Sequence, residues 1–132
     1  SIVVDEFHLY LKSTDSDVIL TFEQIARRIR KYNGNFIPTT QSIHDFLGEG
    51  EDVRSATAIF NNCQYQLVGM LKEDDYNTYL KLFYQHQLTD TQKDFLSKVE
   101  QGEFLLTVTN KKRLKLQVMA TPLEIEMMGE SI

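Results

Sequence analysis

Ile2-Val3-Val4 is an uninterrupted β-branched run that stops on two adjacent acids, Asp5-Glu6. With no polar alternation, it has the pattern of a strand in a parallel sheet that is buried on both faces. A strand of that kind commits the chain to layers of helix and sheet. In open sheets of that class ligands bind beyond the carboxyl ends of the strands, where Asp5 and Glu6 emerge.

The remaining pattern agrees with α/β. From about Asp17 to Tyr32, apolar residues at Val18, Phe22, Ile25, Ala26 and Ile29 follow helical spacing, with the basic residues mostly on the other face. Asn33-Gly34 supplies a stop and a turn. Asn35 to Thr40 reads as a second short strand, with Gln41-Ser42 at its carboxyl end. Beyond a polar break at Gly48-Glu49-Gly50 come a helix from about Asp52 to Asn62 and a third strand candidate, Tyr65-Gln66-Leu67-Val68. Glu73 to Tyr84 and Thr91 to Lys98 are amphipathic helices, the second capped by Thr89 or Asp90. Glu103 to Thr109 and Arg113 to Met119 flank Asn110-Lys111-Lys112 as a β-hairpin. The order predicts a mainly parallel sheet flanked by helices, with a C-terminal antiparallel hairpin. No repeat, low-complexity tract or linker divides residues 1–132, so they read as one unit.

Composition narrows the function classes. A net charge of −5 argues against general affinity for nucleic acid, although a local basic strip is compatible with it. Cys63 is the single cysteine, so an intrachain disulfide or a cysteine-rich metal site is excluded, which suits a reducing cytosol. No apolar run reaches the roughly 18 residues of a membrane span, and the first residues do not read as a charged-then-apolar leader. The abrupt start inside an apolar run reads either as a piece excised from a longer protein or as a truncated gene product. His8, His44 and His86 lack metal-ligand spacing and read as surface or capping residues. Tyr76, Tyr79, Leu80, Phe83 and Tyr84 fall at helical spacing and read as a packing stripe. Met127-Met128 reads as closing the core, and Lys111-Lys112-Arg113 as an exposed turn that blocks edge pairing.

Two strand ends carry the chemistry. An Asp at the tip of a buried strand can hold a magnesium ion that bridges phosphates, and a neighbouring Glu can orient or deprotonate an attacking water. At the next strand end, in Thr40-Gln41-Ser42, a neutral amide can sense a terminal phosphate or place that water without adding negative charge. Taken singly, an acidic helix cap and a polar turn explain these residues as well. The ordered series is more specific: an acidic strand end, a basic helix, Arg30-Lys31-Tyr32-Asn33-Gly34, and a strand ending in Thr-Gln-Ser.

That series resembles a known family. Val4-Asp5-Glu6-Phe7 looks like its Walker B motif, and Arg30 to Gly34 with Ile37-Pro38-Thr39-Thr40-Gln41-Ser42 and Asp45 resembles the segment that follows. The family is the conjugative-transfer ATPase of type IV secretion, the fourth component of the VirB class, a RecA-like relative of hexameric DNA translocases. Ile37-Pro38-Thr39 looks most like its Gram-positive members. A looser resemblance runs through Ala58 to Asn62 and Gln66-Leu67-Val68 to the hairpin after Gly102. It implies that Asp5 binds Mg2+ through water and contacts the nucleotide, as does Thr40. Glu6 would be the general base, Gln41 the sensor of the terminal phosphate, and Arg30 the arginine lent to a neighbouring subunit. The implied cofactors of the longer protein are ATP and Mg2+. The implied partners are the other subunits of a hexamer and a membrane-embedded secretion or conjugation complex, with DNA an indirect partner. The implied location is the cytoplasmic face of the bacterial inner membrane.

One departure is large. No Gly-x-x-x-x-Gly-Lys-Ser/Thr loop occurs in these residues, so the chain alone is not expected to hydrolyse ATP or to bind it tightly. Two alternatives stay open: a fragment of a related DNA-pumping translocase, or a non-catalytic interaction module that has lost the loop. In the family the strand leading into that loop lies between the Thr-Gln-Ser strand and the one equivalent to Tyr65 to Val68. Without it, those two strands are expected either to pair directly or to leave an edge that drives self-association.

Overall fold

Val3 lies opposite Ile37 in a parallel pair of short strands, β1 (Ile2–Val4) and β2 (Phe36–Pro38). The computed structural model describes residues 1–12, 16–44, 52–82, 88–109 and 111–128. Expectations at Asp45, Gly48 to Gly50, Phe83, Tyr84, His86 and Asn110 lie outside them. Contacts gather the chain into two compact units, a division that no linker announces: residues 1–64 with 71–88, and residues 65–70 with 89–132.

In the first unit the parallel ladder runs on past both strands. The amide of Ile2 donates to the Asn35 carbonyl at 2.8 Å, that of Thr39 to Val4 at 2.9 Å, and that of Phe7 to Thr39 at 2.8 Å. The connection from β1 to β2 holds a short helix α1 (His8–Leu11), the long helix α2 (Ser16–Arg28) and a 3-10 turn (Ile29–Tyr32). Asn33 ends that turn in the left-handed region at φ 54°, a conformation Asn tolerates better than most side chains. The predicted stop is therefore correct, with Asn33 itself making the reversal.

Helix α3 (Asp52–Asn62) packs on α2. Together with α1 they cover one face of the strands, with Phe7, Leu11, Ile19, Ala26, Ala56 and Ile59 buried against Val4, Phe22, Phe36 and Phe60. Phe7 is fully buried, its ring edge-on to Phe22 at 4.9 Å and to Phe36 at 5.7 Å. The expected burial of β1 on both faces does not hold among the described residues. Val3 and Ile37 share the other face and are 65% and 47% exposed, because the described helices pack on the Val4–Phe36 side. Helix α4 (Glu73–Leu82) buries Tyr79 completely and Tyr76 and Leu80 in part, as the stripe predicts.

The second unit is a three-stranded antiparallel sheet in the order β3 (Gln66–Val68), β4 (Glu103–Thr109), β5 (Lys112–Gln117). The hairpin is as predicted, although its last strand begins at Lys112. The third strand corrects an expectation. β3 pairs antiparallel with β4, Leu67 opposite Leu106, and not with β2, because the hairpin already supplies its backbone partner. Direct pairing of the Thr-Gln-Ser strand with β3 is thus not the arrangement found.

Helix α5 (Asp90–Lys98) begins with a reciprocal capping box between Thr89 and Gln92, confirming Thr89 as the cap. Gly102, at φ 82°, turns the chain into β4 where an added Cβ would lie 2.8 Å from the Val118 carbonyl oxygen. Val68, Leu96, Val99 and Leu105 are buried in this unit. Helix α6 (Pro122–Met128) closes no core: Met127 and Met128 are exposed, the latter at 84%, because no described segment packs over that helix. Among the described residues no helix is long and apolar enough to cross a membrane.

Candidate functional site

Beyond the carboxyl ends of β1 and β2 two short loops meet. Parallel pairing brings Asp5 and Glu6 alongside Thr39, Thr40 and Gln41, and the Phe7–Thr39 backbone bond ties the loops together. Phe7, sunk in the core directly after Glu6, anchors the first loop. Glu6 itself is in the left-handed region at φ 48°. A side chain in that region costs about 1–2 kcal/mol, and such strain gathers at functional sites.

Each acid has a distinct set of partners. Oδ1 of Asp5 accepts from the Thr39 hydroxyl at 2.5 Å and from the Glu6 amide at 2.9 Å. These two donors, Thr39 first, hold the Asp5 carboxyl below the ordinary aspartate range. Asp5 is therefore an exposed, firmly ionised carboxylate, a suitable holder for a hydrated divalent cation. Oε1 of Glu6 accepts from the Gln41 side-chain amide at 2.5 Å. Oε2 of Glu6 lies 3.3 Å from Nδ1 of His8, which is also 3.1 Å from the Thr40 hydroxyl.

The second loop has its own support. The Thr40 hydroxyl donates to the Ser42 carbonyl at 3.0 Å and accepts from the Ser42 amide at 3.3 Å. Asp75, 3% exposed in the first turn of α4, accepts from the Ser42 hydroxyl at 3.0 Å and from the His44 amide at 2.8 Å. A buried carboxylate with two donors is a fixed anchor for the residues that follow Gln41.

Asp5, Glu6, Thr40 and Gln41, singled out from the sequence, thus come together. Arg30 does not join them. It is exposed in the 3-10 turn that leads into the amino end of β2, whereas the cluster follows the carboxyl ends. Three contributors escape sequence reasoning: Thr39, His8 and Asp75. His8 corrects its reading as a surface or capping residue, since its side chain is only 13% exposed and faces Glu6. Its position two residues after a candidate base was the available signal. Asp75 is one of three consecutive acids at a helix start, and nothing in that run marks it as the buried one. Among the described residues no group of three or more histidine, cysteine and acid side chains is placed to hold a metal ion.

No known family profile and no curated protein sequence matches the chain. Among solved structures, it is similar to VirB4 of Thermoanaerobacter pseudethanolicus, with 30% sequence identity and a TM-score of 0.79 over 93% of its residues. The chain spans about a third, 32%, of the length of that structure. The likeness to a segment of a type IV secretion ATPase, first read from the strand ends, therefore extends over nearly the whole chain in both sequence and fold.

Proposed function

We propose that this chain carries the water-activating side of an ATPase site in a motor that energises type IV secretion or conjugation. The observation behind this reading is the hydrogen bond between Glu6 and Gln41, beside an ionised Asp5 at the carboxyl ends of parallel strands. The likeness to VirB4 supports it.

In this reading Asp5 would hold Mg2+, using a carboxylate whose hydrogen bonds both fall on Oδ1. Magnesium, when bound, neutralises charge on the phosphate oxygens of ATP. Glu6 takes a proton from the attacking water. The water oxygen bonds to the terminal phosphorus as the bond from that phosphorus to the bridging oxygen breaks, releasing ADP and phosphate. Gln41 orients the water or meets the departing phosphoryl group without adding charge. Thr40, whose hydroxyl is occupied by Ser42 and His8, serves the nucleotide by holding the Gln41 loop in shape.

Arg30, distant along the strands from its own Glu6, acts in this reading at the site of a neighbouring subunit in a hexamer. The phosphate-binding loop is not among these residues, so the chain alone does not hydrolyse ATP, while the longer protein does. Its partners are the other motor subunits and a membrane-embedded secretion complex at the cytoplasmic face of the inner membrane. Alone, the chain self-associates through β2, whose pairing partner among the described residues is β1.

The test is Glu6→Gln in the longer protein. Nucleotide binding stays near normal and hydrolysis falls by about two to four powers of ten, the usual cost of losing a general base. Normal turnover in that variant removes Glu6 from the mechanism.

A further inference from the structure

We infer that His8 is a positioning residue for Glu6, acting through a hydrogen on Nδ1 that Oγ1 of Thr40 accepts at 3.1 Å with Oε2 of Glu6 facing it at 3.3 Å. The inference rests on the reading of Glu6 as the base. The hydrogen itself is deduced from the partners. An ionised carboxylate only accepts hydrogen bonds. A threonine hydroxyl has one hydrogen, and that of Thr40 is directed to the Ser42 carbonyl. Toward His8 it therefore presents a lone pair. Both groups facing Nδ1 are acceptors, so Nδ1 must be the donor. Free histidine prefers its hydrogen on Nε2, and the site selects the other form.

The consequence falls on Glu6. Gln41 donates to one carboxylate oxygen and Nδ1 of His8 lies 3.3 Å from the other, so each end of the carboxylate has a fixed neighbour. The imidazole sits at the first position of α1, directly after the buried Phe7, and is mostly shielded from water. Its ring is thus part of a framework that neither Glu6 nor the loop could move alone. A base displaced by about 1 Å loses on the order of a hundredfold in rate. His8 also joins the two strand-end loops through side chains, since Thr40 belongs to the one that carries Gln41.

Two experiments test this. In the chain labelled with 15N-histidine, long-range proton–nitrogen correlation at a pH above the ordinary histidine pKa of about 6.5 reads the state of each ring nitrogen. We expect a protonated Nδ1 at His8; a bare Nδ1 overturns the inference. In the longer protein, the amide nitrogen of His8→Asn falls near the Nδ1 position and that of His8→Gln near Nε2. His8→Gln should lose about ten- to a hundredfold in kcat at little changed nucleotide affinity, and His8→Asn should recover most of it. Equal loss in both variants, or full activity in His8→Gln, overturns it. The comparison is made between variants with matching thermal unfolding, so a folding defect is not read as a positioning effect. Should Glu6→Gln turn over normally, the role of Glu6 falls, while the nitrogen measurement still judges the Nδ1 hydrogen.

Discussion

The side-chain amide of Gln41 donates to Oε1 of Glu6 at 2.5 Å, joining residues 35 positions apart in the chain. A donor this close fixes one carboxylate oxygen and the amide at the same time. In the proposed reaction the amide would shift its bond to the departing phosphoryl group, and its contact would strengthen as charge builds there.

Gln41→Ala in the longer protein should therefore lower kcat more than nucleotide affinity. A hydrogen bond to a charged group is worth about 1.5–3 kcal/mol, or roughly ten- to a hundredfold in rate. Single-turnover kinetics beside equilibrium nucleotide binding separates the two effects. An equal loss confined to binding would mark Gln41 as a contact of the ground state.

The strand ends were legible because parallel strands have a fixed polarity: residues after Val4 and after Pro38 must emerge on the same edge. The support around them was not legible, because it depends on backbone direction. The left-handed turn at Glu6 and the start of α1 bring His8 back toward the acid that precedes it, and no periodicity encodes that reversal. Asp75 reaches Ser42 and His44 from 33 and 31 residues away. The partner of β3 is not legible for a related reason: a three-residue strand states its own conformation but not its neighbour. At Met127-Met128 hydrophobicity alone suggested burial, although packing depends on what lies opposite.

A second prediction concerns Asp5. Its hydrogen bonds from Thr39 and the Glu6 amide favour the ionised form, so its carboxyl carbon should titrate below the ordinary aspartate value of about 3.9. Thr39→Val removes the larger contribution and should move the midpoint up. The linked stability has a definite sign. A lowered folded-state pKa contributes stability above the unfolded value and loses it as pH falls through the folded value. The deficit of Thr39→Val should thus be largest near neutral pH and shrink in acid. Carbon-detected titration of both forms checks the shift, and a midpoint unmoved by the substitution would deny Thr39 its role.

Asp75 provides a third. Asp75→Ala leaves the His44 amide without its acceptor and removes a partner of the Ser42 hydroxyl, an expected cost of about 1–3 kcal/mol. Asp75→Asn keeps an acceptor oxygen and should recover part of it. Urea unfolding measures the stability. Hydrogen exchange at the His44 amide reports the site directly, and unchanged protection in Asp75→Ala would show that the loop is held by other contacts.

The last prediction isolates the strain at Glu6. Elsewhere, replacing Gly by Ala usually stabilises a protein, because Gly loses about 0.5–1 kcal/mol more on folding. At φ 48° the order should reverse, since a Cβ there costs about 1–2 kcal/mol that Gly avoids. Glu6→Gly and Glu6→Ala both remove the carboxylate together with its contacts to Gln41 and His8. Their difference therefore reports the backbone alone, and Glu6→Gly should be the more stable by about 0.5–1 kcal/mol. Urea denaturation of the two variants at one pH is sufficient. Such a result would mean that the turn is tolerated at a cost to stability because it aims an acid at Gln41. If Glu6→Ala proved equally stable, the positive φ would carry no cost, and the geometry of Glu6 would need no functional reason.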